Sequence, residues 1–98
     1  MIFVTNHNDF DHQDFYDGTE YRFPAGESVE VDEAAASHML GFGKANKEET
    51  LIRLGWANEF DGKRGWVKSE TGVKKLANFV FETARLVRTP IKEQAVEA

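Results

Sequence analysis

Apolar and polar residues alternate most clearly in residues 19–31 of the chain. A period of two residues is typical of strands that have one buried face. The alternating apolar positions are Tyr21, Phe23, Val29 and Val31. Between the two pairs, Pro24 presets φ for the first central position of a turn, and Gly26 relieves the crowding at its end. The pattern therefore predicts two strands joined as a β-hairpin.

Two short helices are predicted after this hairpin. Asp32 is a good N-cap for the first helix, and Gly41 supplies the left-handed residue that ends it. Asn46 and Glu49 have the spacing of a capping box at the start of the second helix, which Gly55 ends. An aromatic residue follows each of the two glycines. The two helices are therefore expected to stop in the same way.

Three further segments are assigned from composition and turn signals. Residues 2–5 are rich in β-forming types and are expected to pair with another strand, because a lone apolar strand would leave an exposed edge. Residues 6–18 are polar and crowded with Asp, and we predict an acidic loop there. In residues 58–67, Asp61 and Gly62 favour a tight turn, so this segment is either a small hairpin or an exposed loop.

The last third of the chain fits both helical spacing and β-type composition. We favour a helix over residues 70–77 and a strand over residues 79–87. Residues 91–98 are predicted to be a C-terminal tail that orders only against a partner. Together the elements predict one small α+β domain over residues 1–90, with one or more N-terminal β-hairpins, two or three short helices and a C-terminal strand.

Aromatic residues and acidic charge are the main features of the composition. The 98 residues include eight Phe, two Trp and two Tyr, more than a core this small is expected to hide. The formal net charge of -5, without a dense basic patch, argues against direct binding of nucleic acid. The lack of Cys excludes disulfides, thiolate metal sites and cysteine nucleophiles, and fits assembly in a reducing cytosol. No segment is expected to act as a signal peptide or a membrane span.

The acidic run of residues 6–18 raises the question of a calcium site. If Asp9 is position one of an EF-hand loop, oxygen donors fall at the ligand positions, but Asp14 stands at position six, where the loop needs Gly. Flanking helices are not predicted either, so we favour a solvated acidic loop. No zinc-ligand spacing connects the three histidines, which are His7, His12 and His38. Metal sites are therefore not expected.

Catalytic motifs are not recognisable in the sequence. The serines lack the context of a nucleophile elbow, and Gly41-Phe42-Gly43-Lys44 lacks the remaining spacing of a phosphate loop. No pair of carboxylates stands on a recognisable scaffold. We therefore expect a protein that is not an enzyme and that needs no cofactor.

Several aromatic residues occur at breaks between the predicted elements. Core packing is the default for each of them, but an exposed aromatic residue in a loop is a common anchor of protein interfaces. The candidate partner-binding residues are Phe23, Pro24, Phe42, Trp56 and Trp66. They predict contacts with another protein rather than a reaction.

Four segments together resemble a class of small virion proteins of tailed bacteriophages. The segments are YRFPAGE at residues 21–27, VEV at 29–31, AASHMLGFG at 35–43 and LIRLGW at 51–56. Proteins of this class begin with an Asn/Asp-rich segment, continue through an aromatic-x-Phe-x-Pro-Gly turn, and carry Ala-x-His before a Gly-aromatic-Gly break. Here the turn is Phe-Pro-Ala-Gly, and residues 58–98 are not covered by the resemblance.

Small products of this class often belong to the phage head as decoration or minor capsid proteins. The resemblance therefore implies a non-enzymatic virion protein, present in many copies, that binds the major capsid protein shell and neighbouring virion proteins. A compact domain would bury its aromatic anchors against the shell, while an N- or C-terminal segment would add a strand to an exposed edge. Two alternatives remain open: a component of the head-tail connector, or a small intracellular phage protein that binds a host protein.

Overall fold

The computed structural model describes residues 1–83, and within this range the chain forms seven strands and three helices. The strands are β1 (Ile2–Asn6), β2 (His12–Tyr16), β3 (Thr19–Phe23), β4 (Ser28–Val31), β5 (Asn58–Asp61), β6 (Gly65–Lys68) and β7 (Phe79–Thr83). The helices are α1 (Glu33–Leu40), α2 (Glu48–Leu54) and α3 (Glu70–Ala77). This arrangement confirms the predicted α+β class.

The largest sheet has the strand order β4-β1-β7, and both pairings are antiparallel. β1 is its middle strand, which confirms that residues 2–5 pair with another strand. Ile2 and Val4 lie on the buried face of β1, and Val4 stands opposite Phe81 of β7. The core consists of Ile2, Val4, Phe23, Val31, Ala35, Ala36, Met39, Leu40, Leu51, Leu76 and Phe79. The three helices therefore each contribute apolar side chains to the same core as this sheet.

The prediction that the two strands of residues 19–31 pair with each other as a hairpin is wrong. Both strands form as predicted, but β3 pairs with β2 and β4 pairs with β1. The turn between them does form, because the Glu27 N–H donates to the Pro24 carbonyl oxygen at 3.1 Å. Pro24 is thus the first residue of the turn rather than its first central residue. Gly26 occupies the third position, where its φ of 79° suits glycine.

The predicted loop over residues 6–18 is also wrong, because β2 lies within it. Asp17 and Gly18 have positive φ values of 50° and 77°, and they form the two-residue turn that joins β2 to β3. On the inner face of β2 the side chains of His12 and Asp14 are each only 11% exposed. The strand hides polar side chains instead of apolar ones, so the sequence shows no apolar alternation.

A buried asparagine fixes the segment between β1 and β2. The Asn6 side-chain amide donates to the carbonyl oxygens of Phe10 and Phe23, each at 2.8 Å. Its Oδ1 accepts from the Asn8 N–H at 2.9 Å. A buried amide needs such partners, because no water can replace them. The segment after β1 is therefore tied to β3.

The helix ends follow local capping chemistry. The Asp32 carboxylate accepts from two N–H groups in the first turn of α1, and Gly41 ends this helix with a φ of 76°, as predicted. Gly55 ends α2 in the same way with a φ of 78°. The predicted capping box of α2 is wrong, because the helix begins at Glu48 and Asn46 Oδ1 accepts from the Glu48 N–H at 2.9 Å instead.

The remaining elements agree with the sequence where the structure describes them. α3 has the predicted bounds of residues 70–77, and residues 58–67 fall in a hairpin of β5 and β6, the first of the two alternatives. β7 confirms the start of the strand predicted over residues 79–87. Its predicted continuation past Thr83, the domain boundary at residue 90 and the tail at residues 91–98 lie outside the described residues.

Candidate functional site

The first two candidate anchors lie at the end of β3. Phe23 is fully buried, and its ring stacks on His12 at a centroid distance of 6.0 Å and meets Phe79 edge-on at 6.1 Å. The prediction of Phe23 as a surface anchor is therefore wrong, because its side chain points into the core, where it packs on His12 and Phe79. Pro24 is half-buried at the start of the following turn.

Phe42 and Trp56 are half-buried against the core. Phe42 packs on Phe81 with ring centroids 5.2 Å apart. Trp56 contacts Phe10 edge-on at 6.2 Å and stacks on Phe79 at 6.4 Å. Both rings therefore act mainly in packing, and only part of each remains at the surface.

Trp66 is the candidate that the structure places in solvent. It is 72% exposed, and it pairs across the β5–β6 hairpin with Phe60, which is 65% exposed. The two rings meet edge-on with centroids 5.7 Å apart, a favourable geometry for an aromatic pair. Phe60 was not among the predicted anchors. Its role follows from the hairpin register, because only the pairing of β5 with β6 brings it beside Trp66.

A third exposed side chain extends this apolar surface towards α2. Ile52 is 60% exposed, and a depression of about 250 Å³ lies between it and Trp66. Gly55, which has no side chain, and Ala57, which has a single methyl group, are among the residues that line the depression and leave it open. We call the surface formed by Ile52, Phe60 and Trp66 the hairpin patch.

The α2 end of the hairpin patch is held by backbone hydrogen bonds. The Gly55 N–H donates to the Ile52 carbonyl oxygen at 3.1 Å, and the Trp56 N–H donates to the Leu51 carbonyl oxygen at 2.8 Å. These two bonds form a Schellman motif, which fixes the direction in which the chain leaves the helix. The chain therefore enters β5 from a defined position.

Ser69 closes the base of the hairpin at the start of α3. Its N–H donates to the Ala57 carbonyl oxygen at 3.0 Å, its Oγ donates to the Glu59 carboxylate at 2.8 Å, and the same Oγ accepts from the Gly72 N–H at 2.9 Å. Gly72 packs directly on the backbone of Trp56. A two-stranded hairpin is marginal in water by itself, so these contacts supply the support that the patch needs.

A polar cluster lies on the other side of α2. Arg53 donates two hydrogen bonds to the Asp14 carboxylate, at 2.6 and 3.2 Å, and one to the Met39 carbonyl oxygen at 2.7 Å. Burial would raise the pKa of Asp14, but the hydrogen bonds from Arg53 and from the Phe15 N–H lower it overall. The pair fastens the β2–β3 hairpin to α2, and its partly buried position suits a structural role.

His12 lies beside this pair within a cluster of rings. Its centroid is 5.4 Å from those of both Trp56 and Phe79, and its Nε2 is buried without a hydrogen-bond partner. Burial lowers the pKa of His12, against the opposing effect of Asp14, whose Oδ2 is 3.7 Å from Nε2. The imidazole therefore packs among aromatic side chains, and its lowered pKa favours the neutral form.

The acidic run does not have the form of a calcium loop. In β2 successive side chains point to opposite faces, and Asp14 is already engaged by Arg53. Among residues 1–83, no group of three or more His, Asp or Glu side chains is arranged to hold a metal ion.

A second apolar groove of about 340 Å³ lies between β7 and the helices α2 and α3. Four of its lining residues, Leu40, Leu51, Leu76 and Phe79, are buried in the core. The hairpin patch differs, because its three side chains are each at least 60% exposed. It is therefore the stronger candidate for a binding surface.

Comparison of the chain with protein-family models, with curated proteins and with solved structures gave no significant match. Within residues 1–83, none of the helices has the length and apolar character required to cross a membrane.

Proposed function

We propose that this protein is a non-enzymatic structural protein of a tailed-phage virion, which binds the major capsid protein shell as a decoration or minor capsid protein. The hairpin patch is its contact surface. The patch supports a binding role, and the resemblance of residues 6–56 to small phage virion proteins supports the choice of partner.

The observation that carries the proposal is the exposure of Ile52, Phe60 and Trp66 on one supported face. Large aromatic side chains dominate the energetics of protein interfaces, and a central aromatic anchor is worth about 2 kcal/mol or more when a partner covers it. Apart from their contact with each other, rings left mostly in water add little to the stability of the fold. A protein partner that covers them accounts for their position.

The mechanism is adhesion through repeated contacts. Each copy buries its hairpin patch against a shell protein, and many copies on the same particle make weak contacts cumulative through avidity. The N-terminal residues take no part as an added strand, because β1 is already paired on both sides by β4 and β7. This removes one of the two terminal segments expected to extend onto a neighbour.

Purified particles of the phage that encodes this chain provide the test. Quantitative mass spectrometry should find the chain in a fixed, high ratio to the major capsid protein. A few copies per particle would favour the connector alternative, and abundance in infected cells without incorporation would favour a host-binding protein. Either result would overturn the proposal.

The surface itself is tested by replacing Phe60 and Trp66 with Ser. The double variant should no longer bind to the particles, although it still folds, with a Tm lowered by about 4–8 °C through the loss of the aromatic pair. Phe15→Ser is the matched control, because Phe15 is also exposed, at 57%, but lies on the β2–β3 hairpin. Equal loading of the double variant and the control would show that another surface makes the contact.

A further inference from the structure

The hairpin that carries the patch has a charge opposite in sign to the rest of the chain. Residues 58–68 contain three cationic and two anionic side chains, which gives a net charge of +1 in a chain whose total is -5. The remaining residues therefore carry a net charge of -6. A ligand that contacts the hairpin therefore meets a segment of net positive charge in an acidic chain.

Both anionic groups of the hairpin are engaged within it or at its base. The Glu59 carboxylate accepts from Ser69 Oγ, and the Asp61 carboxylate accepts from the Lys63 N–H at 2.8 Å and from Arg64 Nε at 3.0 Å. By contrast, the ammonium groups of Lys63 and Lys68 take part in no ion pair with any of residues 1–83. The Ser69 hydroxyl does not cancel the charge of Glu59, so the hairpin offers a partner two lysine ammonium groups and a net charge of +1.

Lys68 lies close to the aromatic pair. It stands opposite Asn58 in the hairpin register, two positions from Trp66 and therefore on the same face of the strand. Asn58 lines the depression between Ile52 and Trp66, and its amide adds a hydrogen-bonding group at the edge. An amide and an aromatic ring thus line the depression, and Lys68 lies beside Asn58 on the same face of the hairpin.

The size of the depression indicates what enters it. Its volume of about 250 Å³ is below the roughly 300–1,000 Å³ that is usual for small-molecule sites. It is large enough for one aliphatic or aromatic side chain. A protruding side chain of a protein segment is therefore a better match than a free metabolite.

We propose that the hairpin patch binds an acidic segment of a partner protein, which inserts one apolar side chain between Ile52 and Trp66 and places a carboxylate on Lys68. This inference rests on the proposed function, since it describes the segment of the shell protein that would be bound. It adds the requirement that the bound segment be anionic as well as apolar.

A model peptide tests the recognition without a phage particle. The probe is a pentapeptide with blocked ends, in which one leucine is flanked by two glutamates, and the comparison peptide has two lysines in their place. NMR titration of the labelled protein should show saturable shifts of the Trp66 indole N–H with the acidic peptide. Lys68→Glu should weaken this binding about two- to fivefold, the effect expected of one exposed ion pair.

Lys44→Glu is the matched control, because Lys44 is exposed in the loop between α1 and α2, away from the patch. It should leave the titration unchanged. Equal shifts with the two peptides, or no shift with either, would overturn the inference. Sedimentation that shows the chain dimerising through the patch would also overturn it, since the occupant would then be a second copy.

Measuring the binding of the chain to purified shells tests this inference separately from the proposed function on which it rests. Binding of the chain should weaken between ~0.05 M and ~0.5 M NaCl, because salt screens exposed charges. If the chain does not bind shells at all, the proposed function fails. If it binds in a way that neither salt nor Lys68→Glu changes, the function stands and the acidic segment is wrong.

Discussion

Gly72→Ala sets two physical effects of opposite sign against each other at the base of the hairpin. Gly72 lies within α3, where Ala favours the helix by about 1 kcal/mol relative to Gly. A Cβ at this position would overlap the Trp56 carbonyl oxygen, and it would lie 2.8 Å from the Trp56 carbonyl carbon and 2.9 Å from its Cβ. Real Cβ atoms essentially never come closer than 3.0 Å to another heavy atom.

The overlap cannot be relieved by rotating a side chain, because two of the three atoms belong to the backbone. α3 has to move away from the segment that leads into β5, which strains the hydrogen bonds of Ser69. Overpacking of this kind costs about 1–3 kcal/mol, and we expect the upper end here. After the gain in helix propensity, the net loss in the free energy of unfolding should be about 2 kcal/mol.

Thermal unfolding followed by circular dichroism measures this loss directly. A net 2 kcal/mol corresponds to a decrease in Tm of about 8–16 °C for a domain of this size. Gly62→Ala is the matched control, because Gly62 lies in the hairpin loop and an added Cβ would meet no atom within 4 Å. A Gly72→Ala protein that is as stable as the unchanged chain, or more so, would refute the close packing of α3 on Trp56.

Three further substitutions test separate parts of the structure. Replacing Phe60 and Trp66 with Ser should lower the free energy of unfolding by only about 1 kcal/mol in chemical denaturation, because both rings are mostly in solvent and the substitution removes little more than their edge-on contact. Arg53→Met should lower the free energy of unfolding by about 2 kcal/mol in the same assay, since it leaves the Asp14 carboxylate poorly solvated and without its cation. This loss is smaller than that for a fully buried ion pair, because the Arg53 side chain is one-third exposed. His12→Phe should remove the loss of stability that the unchanged chain shows as pH falls below 6.5.

The sign of the pH effect follows from the direction of each pKa shift. The pKa of His12 is lowered in the folded chain, so the unfolded chain binds the proton first as pH falls from 6.5, and stability decreases until the folded pKa is passed. The lowered pKa of Asp14 gives a second loss of stability below pH 3.8. Urea unfolding at several pH values separates the two, and an unchanged pH profile for His12→Phe would contradict the first assignment.

Features that depend on a few neighbouring residues could be predicted from the sequence. Asp32 and Gly41 mark the ends of α1 because a cap is made by the residue and the turn next to it. Gly55 marks the end of α2 for the same reason. Both strands of residues 19–31 were also predicted, since their alternating pattern is local.

Features that depend on distant residues could not be predicted in this way. β2 hides Asp14 because Arg53, 39 residues later, supplies the compensating charge. The sequence does contain one usable signal there, since Asp17 followed by Gly18 is typical of a two-residue hairpin turn. Phe23 is likewise a core residue because it packs on Phe79, which lies far from it in the sequence.

The same distinction applies to the candidate site. Trp66 follows a glycine in a predicted turn region, and its exposure agrees with its choice as an anchor. Phe60 and Ile52 were missed, because they join Trp66 only through the β5–β6 register and the direction in which α2 ends. A surface patch formed by three separate elements leaves no contiguous motif in the sequence.

The number of copies of this chain on purified particles, measured by quantitative mass spectrometry with and without the Phe60 and Trp66 substitutions, tests the proposed function most directly. Our account predicts a high, fixed ratio to the major capsid protein for the unchanged chain and a large loss for the doubly substituted one. Particles that lack the unchanged chain, or that carry both forms in equal number, would contradict it.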